Sequence, residues 1–487
     1  MTETSNDPPA IVWFRWDLRL ADHEALAAAE RSGRGLLLCY IGPDERPLGA
    51  ASRWWLHHSL ASLGRSIAAL GGRLILRRGP SADVLAELVK ETGAAEVHCS
   101  AALDADGQAE QQAAWKRLDE LGVRLECHPG VTLLEPAAIR PGNPYRVFTP
   151  FWKSCRQLLS PEPPLPAPRR LRFSSKLPRA DRLEQWALLP HRPNWAAGFE
   201  AHWQPGEQGA AEQLGLFLDT GLASYAAGRD VPARRASSRL SPHLRFGEIS
   251  PRQVYHAVTS SDLQQGTGPA ETFLRQLGWR EFNYHLLAHW PDLSVRAMRP
   301  EFDAFPWRDD AAALRAWQRG ETGYPLVDAG MRELWATGWM HNRVRMVAAS
   351  LLIKHLLIPW QQGEAWFWDT LVDADPANNA GGWQWVAGSG ADAAPYFRIF
   401  NPTTQGKKFD PSGAYVARWV PELAALAPKY IHEPSRAPAA ILEHAGVVLG
   451  ETYPWPLVEH GFARARALDA YALARSAKRA APLQESE

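Results

Sequence analysis

Between residues 10 and 130 the chain alternates short apolar runs with longer stretches whose apolar positions recur at helical spacing. The runs are Ile11–Phe14, Leu36–Ile41, Leu74–Leu76, Glu96–Ser100 and Val123–His128. The stretches between them, His23–Glu30, Arg53–Leu70, Ala82–Glu91 and Gln108–Leu121, read as helices. Strands alternating with helices argue a parallel α/β sheet. The pattern therefore predicts a Rossmann-like parallel α/β domain over residues 9–135. Its first strand runs into Arg15-Trp16-Asp17-Leu18-Arg19, where a dinucleotide fold would carry Gly-x-Gly-x-x-Gly. The common dinucleotide mode is therefore not expected, though the sheet is.

The pattern changes further on. Eight prolines fall between Pro161 and Pro193, where apolar runs are few. Residues 136–204 read as an extended connector. From 205 to 487 the periodicity is helical and strand signals are sparse, so the fold class is α/β followed by all-α. The last stretch, Arg475 to Glu487, reads as a frayed tail.

Composition narrows the class. The 487 residues hold 53 Lys+Arg and 53 Asp+Glu, a formal net charge of zero. With 46% hydrophobic residues, global disorder is excluded, and bulk charge offers no argument for nucleic-acid binding. Residues 151–204 are locally basic, nine Lys+Arg against four Asp+Glu. No stretch approaches the ~18 consecutive apolar residues of a membrane span. Val347 to Trp360 comes nearest and is broken by Lys354 and His355. The N-terminus is polar and shows no secretory pattern. Cys39, Cys99, Cys127 and Cys155 have no Cys-x-x-Cys spacing and read as buried reduced thiols, so a cytoplasmic protein is expected. The 22 tryptophans are the outlying count, and thirteen lie beyond residue 205.

Four blocks could carry chemistry. Tyr225, with Ser237-Ser238-Arg239-Leu240-Ser241, offers hydroxyls and a guanidinium suited to phosphate, although plain Ser capping explains the same spacing. Trp279-Arg280-Glu281-Phe282 could stack a base or simply pack a core. His341-Asn342-Arg343-Val344-Arg345-Met346 sets polar groups beside an apolar helix: either Arg345 is buried against a carboxylate, or the run is a solvated stripe. Asp373-Ala374-Asp375 through Asn379 to Trp385 combines acids, amides, glycines and indoles, which reads as a ligand site. A carboxylate pair could take a metal, but no nearby His or third acid completes a site, so no metal is expected.

Together with Trp13–Leu20 and Arg398–Gln405, these blocks stand in the order and spacing of the photolyase/cryptochrome family, which nearly the whole chain resembles. The resemblance implies an N-terminal antenna-binding α/β domain and a helical domain that holds FAD and binds DNA. It makes Tyr225, Ser237, Ser238, Arg239, Leu240 and Ser241 the phosphate clamp of FAD, with Ser237 where relatives usually carry Thr. Asn342, Arg345, Asp373, Ala374, Asp375 and Asn379 become flavin and ribose contacts, with Arg345 and Asp373 an ion pair. Asn379 would face flavin N5, and a neutral amide there, where plant cryptochromes carry Asp, points to catalysis by reduced flavin. Trp383, Trp360 and Trp307 match the family's electron-transfer chain. Trp279 and Trp385 match the aromatic walls around a flipped-out lesion, and Gln276, Arg280, Asn283, Asn342, Arg343, Met346, Arg398 and Gln405 match lesion- or DNA-contacting positions.

Asn342 and Met346 stand where enzymes for (6-4) photoproducts carry two His, so the implied substrate is the cyclobutane pyrimidine dimer of UV-damaged DNA. Gln276 departs from the Glu of many dimer photolyases, which predicts slower or altered repair. A photoreceptor without repair and a (6-4) enzyme are the alternatives. Ser52–His58 resembles bacterial photolyases near plant cryptochromes and implies a methenyltetrahydrofolate antenna, whereas Asp104–Glu110 departs from the familiar folate pattern. No obligate protein partner is implied, and a monomer is expected.

Overall fold

A computed structural model describes residues 4–5, 7–42, 48–159, 162–261, 268–393, 395–396 and 398–480. The chain divides into two compact units, Met1–Ala226 with Ser238–Pro291, and Ala227–Ser237 with Asp292–Glu487.

The first unit is built on a parallel sheet. Its strands are β1 (Thr4–Ser5), β2 (Ala10–Phe14), β3 (Leu36–Gly42), β4 (Leu74–Arg78), β5 (Glu96–Ser100), β6 (Arg124–His128) and β7 (Phe173–Ser174), in the order β1-β7-β3-β2-β5-β6 with β4 also on β3. All five expected strands are present. β2 and β3 are buried along their whole length, as their unbroken apolar runs require. The two short strands escaped prediction because a two-residue strand has no period to read. Helices Glu24–Arg31, Ala50–Ala69, Ser81–Thr92 and Ala105–Asp119 connect β2 to β6 in turn. Ile11, Cys39, Val97 and Cys99 meet Leu85, Leu88, Ala114 and Leu118 in one apolar core.

The stretch read as a connector lies on this unit. β7 pairs with β3 and β1, and Trp186 fills the space beside Gly42, where a Cβ would come within 2.9 Å of the indole. The Arg15–Arg19 segment is consumed by architecture. Arg15 reaches Glu110 at 2.7 Å, Arg19 donates to the Gly247 and Asp22 carbonyls, and Asp17 lies 3.1 Å from His23. Burial would raise Asp17, but His23, Ser100 and the Arg15 amide hold it well below the usual carboxylate range. Gly247 has φ +65°, and a Cβ there would stand 2.1 Å from the Trp16 carbonyl.

The second unit is helical, and β7 is the last strand among the described residues. Helices Pro325–Thr337, Asn342–Ser350, Trp360–Thr370 and Pro376–Ala387 surround a core containing Trp317, Leu334, Val347, Leu352, Phe367 and Trp383. Two expectations need correction. Helix His460–Ala480 extends through Arg475–Ala480, so that part of the expected tail is ordered; residues 481–487 lie outside those described. Cys39, Cys99 and Cys155 are buried free thiols, but Cys127 is exposed because β6 is an edge strand. No described helix is long and apolar enough to cross a membrane.

Candidate functional site

In the first unit, helix Pro269–His289 carries Gln276, Trp279, Arg280 and Asn283. Spacings of three, four and seven residues put them on one helical stripe. Gln276, Trp279 and Asn283 are half-buried. Trp279 lies flat on Phe148, centroids 4.1 Å apart and planes 6° from parallel, a stack that fixes the indole's orientation. Arg280 behaves differently from its neighbours. It is buried, donates to the Val131 carbonyl at 2.9 Å and pairs with Glu281 at 3.4 Å. Glu281 accepts from the Leu133 and Leu134 amides; burial pushes it up to about 7 against Arg280 and those donors.

The same unit holds most of the hydroxyl block. Tyr225 packs edge-on against Phe217 and Phe273. The Ser238 carbonyl accepts from Gln213 at 2.8 Å. Arg239 sits at φ +53°, an uncommon backbone for a side chain with a Cβ. Its guanidinium lies 4.2 Å above Trp203, so the turn is held by a cation–π contact. Leu240 is buried and Ser241 exposed.

Ser237 belongs to the second unit, with the remaining predicted residues. His341 caps helix Asn342–Ser350 by accepting from the Arg343 amide. Desolvation pulls His341 down to about 4, opposed by Asp230 and helped by Arg343 and Arg345, so the cap is a neutral acceptor. Arg345 and Asp373 form a two-pronged pair, 3.1 and 2.9 Å, and Arg345 Nε donates to the Met340 carbonyl. Arg345 is half-buried and Asp373 buried, so the carboxylate partner expected for the guanidinium is supplied. Ala374 is buried, and Asp375 caps helix Pro376–Ala387 by accepting from the Ala377 and Asn378 amides. Arg343 pairs with Asp230 at 2.8 Å and lies 4.4 Å over Phe409. Asn342 is exposed and Met346 half-buried one turn later. Arg398 is exposed, and Gln405 lies on helix Pro402–Phe409.

Trp360 and Trp383 are buried in the unit's main core, while Trp307 and Trp385 pack against it from half-buried positions. Trp383 lies over Gly363, where a Cβ would come within 2.1 Å of its ring. Two further residues organise this region. Asn379 donates to the Glu364 carboxylate at 2.7 Å and carbonyl at 3.1 Å, and burial pushes Glu364 up to about 7 against that hydrogen bond. Gln384 donates to the Leu293 and Arg296 carbonyls and accepts from the Met298 amide. Sequence reasoning found neither: a Glu after a helical glycine and a Gln between two tryptophans carry no local signal.

The chain matches two family models, one described as DNA photolyase over residues 10–169, the other as the FAD binding domain of DNA photolyase over residues 273–473. It is 51% identical to a deoxyribodipyrimidine photo-lyase of Agrobacterium fabrum over 95% of this chain and 98% of that protein. It is 38% identical to cryptochrome-1 of Arabidopsis thaliana over 94% of this chain and 69% of that protein. A crystal structure of a bacterial class III photolyase from Agrobacterium tumefaciens superposes with a TM-score of 0.94 at 50% identity, covering 98% of this chain and 99% of the other.

Proposed function

The chain belongs to the photolyase/cryptochrome family, and from that premise we propose that it is a light-dependent lyase that repairs cyclobutane pyrimidine dimers in DNA. The observation that carries the reading is the 51% identity across nearly the full length of a deoxyribodipyrimidine photo-lyase; the resemblance adds that Asn379 would stand where plant cryptochromes carry Asp.

The donor set fits FAD. Arg345 is held by Asp373 with its N–H groups fixed in orientation, and Asn379, whose N–H groups go to Glu364, keeps its side-chain oxygen as an acceptor for a planar heterocycle. Nothing lies within 4 Å of where a Cβ would stand on Gly382, so backbone beside Trp383 can be approached closely. Asn342, Arg345, Asp373, Ala374, Asp375 and Asn379 would hold the flavin and ribose. Tyr225, Ser237, Ser238, Arg239, Leu240 and Ser241 would hold the phosphates. When bound and reduced, FAD supplies a light-driven one-electron donation that opens the dimer and recovers the electron.

The protein's own work is positioning. Asn379 presents a neutral amide that does not readily give up a proton, kept in place by Glu364. Trp279 and Trp385 would hold the flipped dinucleotide, each base stacked contributing on the order of 1–3 kcal/mol. Gln276, Asn283, Asn342 and Met346 would meet the lesion's edges; Arg343, Arg398 and Gln405 would position the strand. Arg280 would support that face from behind through its bond to Val131. Trp383, Trp360 and Trp307 would pass electrons from the surface. A methenyltetrahydrofolate antenna on the first unit and a cytoplasmic location complete the proposal; the free thiols support the location. The test is blue-light illumination of dimer-bearing oligonucleotide with reduced holoprotein. Thymine recovery in the light and none in the dark is expected; equal results overturn the reading. An absorption spectrum of the same preparation reports the antenna.

A further inference from the structure

β5 and β6 are neighbouring parallel strands whose register sets His98 opposite Glu126 and Ser100 opposite His128. Side chains two residues apart share a face of a strand. His98, Glu126 and His128 therefore meet on one side of the sheet. His98 Nδ1 lies 3.1 Å from His128 Nε2 and 3.8 Å from the nearer Glu126 oxygen. One ligand atom from each of the three falls within 4.8 Å of the others, and among the described residues no other such group of three occurs.

We propose that His98 Nδ1, His128 Nε2 and the Glu126 carboxylate form a site for a divalent cation of the Zn²⁺ class, outside the residues assigned to flavin and DNA. A tetrahedral zinc with ligands at about 2.0–2.1 Å sets its donor atoms about 3.3 Å apart. The two distances here bracket that edge. Two imidazoles and a carboxylate are the donor types of open zinc sites, which keep one position for water.

A second observation points the same way. His98 is 3% exposed, and its Nε2 has no hydrogen-bond partner. That atom lies 3.6 Å from Glu96 Oε1, a buried carboxylate oxygen likewise without a hydrogen bond. Ligation through Nδ1 fixes the proton on Nε2 and aims it at Glu96, the carboxylate–histidine–metal arrangement that orients metal-bound imidazoles. Glu96 stands 3.6 Å from Arg34 and 3.5 Å from Arg124. Arg124 also holds the far oxygen of Glu126 at 3.2 Å, leaving the near one to His98. A bound cation would pin edge strand β6 to β5.

The test uses chelator-treated holoprotein dialysed against low-micromolar Zn²⁺, with bound metal counted and thermal melting followed. His128→Gln and Glu126→Gln replace half-buried ligands by polar groups of similar size, and flavin content verifies their fold. One zinc per parent chain, absent from both variants, with a melting rise confined to the parent, is expected. Equal zinc in parent and variants, or none in the parent, overturns the proposal, whatever the repair activity.

Discussion

At the scale of single residues, Glu364 and Asn379 are tied together where the flavin is proposed to sit. A carboxyl held near 7 when folded and near 4.5 when unfolded binds its proton more tightly in the native state. Its contribution is therefore full below about pH 4.5 and is lost as pH rises through 7. Stability of the parent relative to Glu364→Gln should fall across that window by up to about 3 kcal/mol, read from denaturant midpoints at pH 5 and pH 8. A pH-independent difference would show that the burial carries no such linkage. Trp383 allows a sharper functional test. Trp383→Phe keeps the aromatic packing against Phe367 and Trp317 but removes an oxidisable indole. Light-driven reduction of the bound flavin should drop by an order of magnitude or more in that variant, while repair by chemically reduced protein persists.

At the scale of elements, each candidate block is placed by ordinary helix chemistry. His341 and Asp375 are caps; Asp373 and Arg345 join the segment before one helix to the first turn of another. Asp375 is a helix cap inside the ligand-like block, so capping and ligand binding are compatible there. The crossing of helices Trp360–Thr370 and Pro376–Ala387 depends on Gly363, which admits the Trp383 ring. Gly363→Ala should cost about 1–3 kcal/mol by overpacking. It should also slow flavin photoreduction, because the methyl displaces the same indole. Unchanged melting temperature and photoreduction rate together would refute that account. Arg280 illustrates what spacing does not reveal: four residues from Gln276 on the same stripe, it turns to Val131 and Glu281 while Trp279 settles on Phe148.

At the scale of the whole molecule, zero net charge and 22 tryptophans belong together. If aromatic walls grip the lesion and a few arginines position the strand, salt should weaken binding to undamaged DNA more steeply than binding to dimer-bearing DNA. Titrations at about 50 and about 200 mM salt compare the two slopes; parallel slopes would contradict the aromatic reading. By itself the sequence determined the strand–helix alternation, the helical remainder and the blocks of hydroxyl, guanidinium, amide and indole, because hydrophobic period and residue chemistry are local properties. Only the tertiary structure decided that Asn379 meets Glu364, that Arg280 turns inward, that the prolines after Pro161 lead into a sheet strand, and that His98 faces Glu126 and His128. Those pairings join residues far apart in the chain through strand register and helix crossing, and neither leaves a mark in local spacing.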